Sequence, residues 1–317
     1  MKGDDPLQLK GVWHGTCLEF STVDAKELSN SLYEQTLDKI QDTGPQSFSA
    51  VLEFSIDQGE RKTLETFRNE IFQRTLALFT DQSYSLEYKE VKLPFCDIIA
   101  ADVTEFCLVI SEQTRIRCFV LYDFDFRLSR IILLRESREA TKLRADSVVR
   151  RLAVEEYCGC WIGQGVRIKL TNPVQEEVAI HSMVRILWDQ EAAIRKSICI
   201  RSLQNEETIT KDKRNASDFK SDRWLYLRDN SQDTVTSYGS LVNEYMATFS
   251  VDMEQNVLFL LPFECFLQAP TFLHADHAFH FEFGCMINRS WRKRQSRLYS
   301  RRGFPLSGLL VSEQSSD

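Results

Sequence analysis

Three of the chain's five histidines, His274, His277 and His280, stand within seven residues, and such a tract can hold Zn²⁺ or another transition ion through neutral imidazole nitrogens. Their spacing matches neither the i, i+4 pair of a helix nor alternate positions of one strand, where i and i+2 share a face. The tract reads as a polar loop running into a strand, and no metal site is assigned. Cys158 and Cys160 form a Cys-x-Cys one residue tighter than the usual zinc pair, with no second pair downstream. The densest single-sign charge is Arg289, Arg292, Lys293, Arg294, Arg297, Arg301 and Arg302, with no acidic residue from Ile287 to Gly303 and with Trp291 and Tyr299 interleaved. Such a run can hold a carboxylate or phosphate, an anionic lipid surface, or a single strand of nucleic acid that stacks on the aromatic rings. The plainer reading is a solvated hairpin between two final strands, with one Arg recruited to a structural contact. No Gly-x-Ser-x-Gly occurs, and the close glycines of 159–165 fit neither a P-loop nor a dinucleotide fingerprint. No catalytic residue and no cofactor is therefore assigned, and the balance falls against an enzyme.

The elements that must carry these residues are strands. Ser49–Ile56, Phe106–Ile110, Arg117–Tyr122 and Arg130–Leu134 are short β-branched or aromatic runs bounded by polar turn residues. Phe279-His280-Phe281-Glu282-Phe283 alternates, which predicts three Phe on one face, core or cavity, and His280 with Glu282 on a wet face. Helical spacing is sparse. Leu28, Leu32 and Ile40 recur loosely within 24–41, where a strand fits equally well, and Leu143, Val148, Val149 and Leu152 suggest a short linking helix within 136–156.

The chain also repeats itself. Gly11-Val12-Trp13-His14-Gly15 returns as Gly159-Cys160-Trp161-Ile162-Gly163, with Trp161 lying 148 positions after Trp13. Leu121-Tyr122 returns as Leu298-Tyr299, and in both copies a Glu follows the Tyr by 14 positions, at Glu136 and Glu313. Trp to Tyr is 109 positions in the first copy and 138 in the second, so the second holds 29 more; the polar stretch 204–223 is the natural insertion. Two domains are expected, 1–140 and 141–317.

A Gly-x-Trp opening the first strand of an antiparallel chain resembles the opening motif of lipocalins, within the calycin superfamily. Gly allows close backbone approach where a barrel pinches shut, and Trp supplies an apolar plate for its floor. The resemblance implies barrel closure by Trp13 and Trp161, each under a basic side chain: Arg297, Arg301 or Arg302 over Trp161, and Arg127 or Arg130 over Trp13. The C-terminal third, with Leu260-Leu261-Pro262, Ala269-Pro270, Phe281-Glu282-Phe283-Gly284, Arg292–Arg294, Arg297, Tyr299 and Leu306–Glu313, resembles an uncharacterised two-barrel calycin family of cyanobacteria and photosynthetic eukaryotes. That family is in turn similar to the phycobilin lyases, but no lyase-specific constellation stands here. The expected fold is all-β: two tandem lipocalin-like or fatty-acid-binding-protein-like antiparallel barrels joined by a short helical linker.

Composition sets the remaining bounds. Hydrophobic content of 43% with 27% charged residues suits a packed globular protein, and no apolar run approaches the roughly 20 residues of a membrane-crossing helix. A net charge of −7 disfavours nucleic acid as a partner. Nine scattered cysteines and an N-terminus without a signal or transit pattern suggest a reduced, soluble, intracellular location; the resemblance implies a chloroplast, with the cytoplasm as the alternative. With 21 Phe, an aromatic cavity is expected to bind an apolar or pigment-like small molecule such as a fatty acid, isoprenoid or tetrapyrrole. Phe119, Leu121, Phe279, Phe281 and Phe283 are the expected lining, and Arg297 or Arg301 the expected partner of a ligand carboxylate. A filled-barrel scaffold or assembly factor that binds protein, and a bilin-lyase-like chromophore-handling protein, are the alternatives.

Overall fold

The computed structural model of this 317-residue chain describes residues 11–44, 47–57, 62–72, 76–93, 96–139, 150–171, 177–188, 193–202, 233–251, 254–273 and 277–316. The expected insertion at 204–223, His274, and 140–149 of the expected linker lie outside the described residues.

In the first half, β1 (Gly11–Ser21), β2 (Glu27–Gly44), β3 (Ser47–Asp57), β4 (Lys62–Phe72), β5 (Ala77–Leu78), β6 (Tyr84–Lys92), β7 (Ile99–Ser111), β8 (Thr114–Tyr122) and β9 (Leu128–Ser137) form one sheet, ordered β4-β3-β2-β1-β9-β8-β7-β6-β5. The strand reading of 24–41 prevails over the helical one, because β1 and β3 take up the backbone of β2 on both sides. In the second half, β10 (Gly159–Lys169), β11 (Glu177–Trp188), β12 (Ala193–Ser202), β13 (Asp233–Asn243), β14 (Met246–Val251), β15 (Glu254–Leu261), β16 (Cys265–Pro270), β17 (His280–Asn288), β18 (Trp291–Tyr299) and β19 (Pro305–Ser315) close into a barrel in chain order. The architecture is thus all-β, with one closed barrel and one nine-stranded sheet; the described edge strands β4 and β5 of that sheet share no ladder. The described part of the linker carries one short helix, α1 (Val154–Tyr157).

Closure joins β19 to β10, and the opening pentad explains how. A Cβ on Gly163 would lie 2.1 Å from Ser312 O, and one on Gly165 would lie 2.0 Å from Leu310 O. Only glycine lets the two backbones approach so closely.

The halves share a core. One face of the sheet, including Leu18, Phe20, Phe106, Val120, Tyr122, Ile131 and Leu133, packs against the outer face of β15–β17, including Val257, Phe259, Leu267, Phe281 and Phe283. The opposite face of the sheet, with Phe119, Leu121, Ile132 and Leu134, forms its own core. Runs such as Ile131–Leu134 and Val257–Leu261 are continuously apolar because both of their faces are buried. Each buried Phe contributes about 1.5–3 kcal/mol by leaving water.

Two hairpin tips carry the same turn. Between β8 and β9, Asp123 N–H donates to Arg127 O, and Phe126 N–H donates to Asp123 O. Between β18 and β19, Ser300 N–H donates to Phe304 O, and Gly303 N–H donates to Ser300 O. The left-handed position is filled by Phe126 (φ 59°) in one tip and by Gly303 (φ 72°) in the other.

Candidate functional site

Strand parity decides what faces the barrel interior. Trp161, Val184, Ile186, Ile194, Phe249, Leu258, Leu260, Phe266 and Met286 meet as one buried cluster with Tyr157 of α1, and this cluster makes the floor. On β18, the same parity turns Arg292 and Arg294 inward. The Arg292 guanidinium lies 4.4 Å from the Trp161 ring centre and 5.5 Å from that of Phe266. Such contacts contribute about 0.5–2 kcal/mol where water is excluded.

Above the floor runs a belt of charge. Arg292 Nε donates to Glu313 Oε2 at 2.7 Å, and Arg294 Nη2 donates to Glu313 Oε1 at 2.7 Å and to Ser182 Oγ at 2.8 Å. Arg294 Nη1 donates to Glu282 Oε2 at 3.1 Å. From across the lumen, Lys196 Nζ donates to Glu282 Oε1 at 2.5 Å and to Gln268 Oε1 at 2.9 Å. All five charged side chains are at most 1% exposed. Burial pushes the Glu282 carboxyl upward, but the Lys196 and Arg294 cations overcome it and hold the group at about 2. Burial lowers Lys196, with Glu282 opposing the shift, and burial drives His280 down to about 4, so its half-buried imidazole is neutral.

The belt counts three cations against two carboxylates, an excess of one positive charge. It is also incompletely bonded. Arg292 Nη1 and Nη2 and the neighbouring Tyr157 Oη are buried with no hydrogen-bond partner among the described residues; outside the belt, on β15, the same is true of Oδ1 and Nδ2 of Asn256. A buried polar group left in that condition costs on the order of 1–3 kcal/mol, and more when charged. What the arrangement can do chemically is bind an anion beside apolar surface.

The first half carries a related belt. Arg115 Nε donates to Glu136 Oε2 at 2.5 Å, Arg117 Nε donates to Glu105 Oε1 at 2.7 Å, and Arg117 Nη1 donates to Glu136 Oε1 at 3.3 Å. Tyr84 and Tyr88 donate their hydroxyls to Glu105 at 2.7 and 2.5 Å. Here two cations meet two carboxylates, and none of these six side chains buries an unpartnered atom. The Arg115 guanidinium covers Trp13 at 4.0 Å, and Arg138 adds a second cation at 4.9 Å.

The residues singled out in the sequence fall in several places. Trp13 and Trp161 are buried, and the cations over them are Arg115 and Arg292 instead of Arg127, Arg130, Arg297, Arg301 or Arg302. Parity is the reason on β18: Arg297 is an odd number of residues from Arg292, so it faces outward. There it is fully buried against the first half, donating to Ser85 O at 2.9 Å, to Glu87 Oε1 at 2.9 Å and to Tyr299 Oη at 2.7 Å. Lys293 likewise reaches out to Val109 O and pairs with Asp81. Arg289, Arg301 and Arg302 are exposed. The basic run is therefore three populations, inward, interfacial and solvated, and not one solvated hairpin.

Phe279, Phe281 and Phe283 do share a face, but it is the one between the halves: Phe106 lies 6.1 Å from Phe283 and Tyr122 6.0 Å from Phe281. The other face of β17, expected to be wet, holds Glu282 inside the barrel at 1% exposure. Phe119 and Leu121 sit in the first half's own core, Phe119 beneath Arg117 at 4.9 Å. No group of three His, Cys, Asp or Glu with metal-holding geometry occurs among the described residues. No described helix is long and apolar enough to cross a membrane.

No family model and no curated protein matches this sequence. Among solved structures, the chain is similar to a protein of unknown function from the DUF3598 family of Nostoc punctiforme. The TM-score is 0.68 at 22% identity, over 99% of this chain and 100% of that one. The likeness is one of fold. An S-type phycobiliprotein lyase of Guillardia theta matches at a TM-score of 0.35 and 15% identity, over 52% of this chain and 94% of that one. A transferrin-binding protein B mutant of Haemophilus parasuis matches at 0.21 and 7%, over 96% of this chain and 75% of that one.

Proposed function

We propose that this protein is a non-enzymatic carrier that holds an apolar small molecule with one anionic group, a fatty acid, isoprenoid acid or tetrapyrrole, inside the closed barrel. The observation that carries this reading is the belt of Lys196, Arg292, Arg294, Glu282 and Glu313, whose excess positive charge one ligand carboxylate would neutralise. Arg292 and Tyr157 bring unspent donors to the same lumen, and Trp161, Phe249 and Phe266 bring apolar surface. The first half, residues 1–140, is on this reading a divergent calycin barrel whose belt of Arg115, Arg117, Glu105 and Glu136 serves the fold. Localisation to a plastid belongs to the same reading.

Full-length protein titrated calorimetrically with dodecanoate tests it, together with native mass spectrometry of protein from its own host. Dodecanoate is expected to bind one per chain, and Lys196→Met, which balances the belt, is expected to weaken it about tenfold or more. Lys196→Met should cost less than the about 3–5 kcal/mol of breaking an isolated buried pair, because Arg294 still answers Glu282. A ligand-free mass together with no dodecanoate binding would favour the filled-barrel scaffold.

A further inference from the structure

Asn256 is fully buried on β15, on the same face as Leu258 and Leu260 of the barrel floor cluster, so its carboxamide points into the lumen. Neither its oxygen nor its nitrogen finds a partner among the described residues. The neighbouring strands show why. Across from Asn256 on β14 stands Phe249, whose ring has no hydrogen-bonding atom. Across on β16 stands Pro270, which has no N–H, and whose carbonyl accepts the Tyr122 hydroxyl at 2.6 Å from the first half. The nearest lumen amide on β16, Gln268, gives its oxygen to Lys196. Leucine at this position would fill the space with no polar debt, so a buried Asn here has no use in packing.

A carboxamide presents a donor and an acceptor side by side, and the group that satisfies both at once presents an acceptor and a donor in the same arrangement. We infer that Asn256 is a specificity-determining residue that reads a neutral lactam or carboxamide on the ligand, a second polar feature separate from the anionic one. The inference rests on the ligand occupying the closed barrel. It narrows the ligand class to amphiphiles carrying an N–H beside a C=O, and it gives a simple fatty acid no role for Asn256.

A series of probes with one twelve-carbon chain separates this inference from the reading beneath it. Calorimetry on the unmodified full chain compares dodecanamide, N,N-dimethyldodecanamide and dodecanoate. Dodecanamide should bind about tenfold or more tighter than its dimethyl analogue, which keeps the acceptor and loses both donors. In Asn256→Leu that preference should vanish, while dodecanoate affinity stays within about twofold and the ligand-free melting temperature holds or rises. Equal affinities for the two amides in the unmodified protein would mean that trapped water alone answers Asn256, and would overturn the inference while leaving dodecanoate binding intact. A melting temperature lowered by several degrees in Asn256→Leu would give Asn256 a structural role and overturn it too. Binding of none of the three probes would remove both the inference and the carrier reading.

Discussion

Arg115, Arg117, Glu105 and Glu136 in the first half correspond to Arg292, Arg294, Glu282 and Glu313 in the second, every pair 177 positions apart (292 minus 115). The same four charges, on the same three consecutive strands, reach different ends. In the first belt, Tyr84 and Tyr88 complete Glu105, and Arg115 and Arg117 balance Glu105 and Glu136. In the second, Lys196 enters from across the lumen, the charge rises by one, and donors on Arg292 and Tyr157 stay unspent. On the reading proposed above, the first network acts as a strut and the second, with its extra cation and unmet hydrogen bonds, as a receptor for something of opposite sign.

The largest test of that contrast removes one carboxylate from each belt. Glu136→Gln and Glu313→Gln should each cost about 3–5 kcal/mol in chemical denaturation, since each leaves buried guanidinium groups underpaired. Glu313→Gln should cost more, because three cations then face Glu282 alone. Equal costs would mean that charge balance is not what separates the belts.

Acid should strike the second belt in two steps. His280 is depressed from 6.5 to about 4, so the unfolded chain binds its proton first, and stability present above pH 6.5 is lost as pH falls toward 4. Glu282, depressed from 4.5 to about 2, withdraws its contribution over the next window down. His280→Leu should flatten the upper step by about 1–2 kcal/mol, discounted for the partial exposure of His280, as read from denaturation midpoints at pH 7 and pH 5. A profile unchanged by that substitution would place the upper step elsewhere.

The smallest effect concerns the matched hairpin tips. Phe126 holds a left-handed conformation that Gly303 occupies at the equivalent position of the second tip. Phe126→Gly should therefore raise stability by up to about 1 kcal/mol, and Gly303→Ala should lower it by a similar amount. Melting temperatures moving in the same direction for both would contradict the equivalence of the two turns.

Much of this pattern stands in the sequence. The paired Trp pentads and the Tyr-to-Glu spacing of 14 already match positions of one half to the other, and strand runs such as Arg117–Tyr122 fall within β strands. The belts were less legible, although a signal exists: in each copy an Arg-x-Arg stands 12 residues after one Glu and 19 before another. Charged residues are exposed by default, so a cluster such as Arg292–Arg294 reads as solvated until strand parity and closure turn alternate members inward. The Phe281 and Phe283 face is legible as apolar from alternation alone. Which apolar space it meets depends on how the halves pack, and no local pattern encodes that. Lys196 was invisible for the same reason, since its partners Gln268 and Glu282 lie 72 and 86 positions away.

Phe106 and Phe283 are also 177 positions apart, and their rings lie against each other. Tyr122 meets Phe281, while Tyr299, its counterpart, stands beside Thr104, the counterpart of Phe281. A residue that touches its own image lies on a twofold axis, and reciprocal contacts about it define an isologous interface. The chain is in this sense a dimer written as one polypeptide. In a true homodimer any change to one belt is imposed on the other; a fused pair is free of that constraint, so one lobe can stay a strut while the other departs from it.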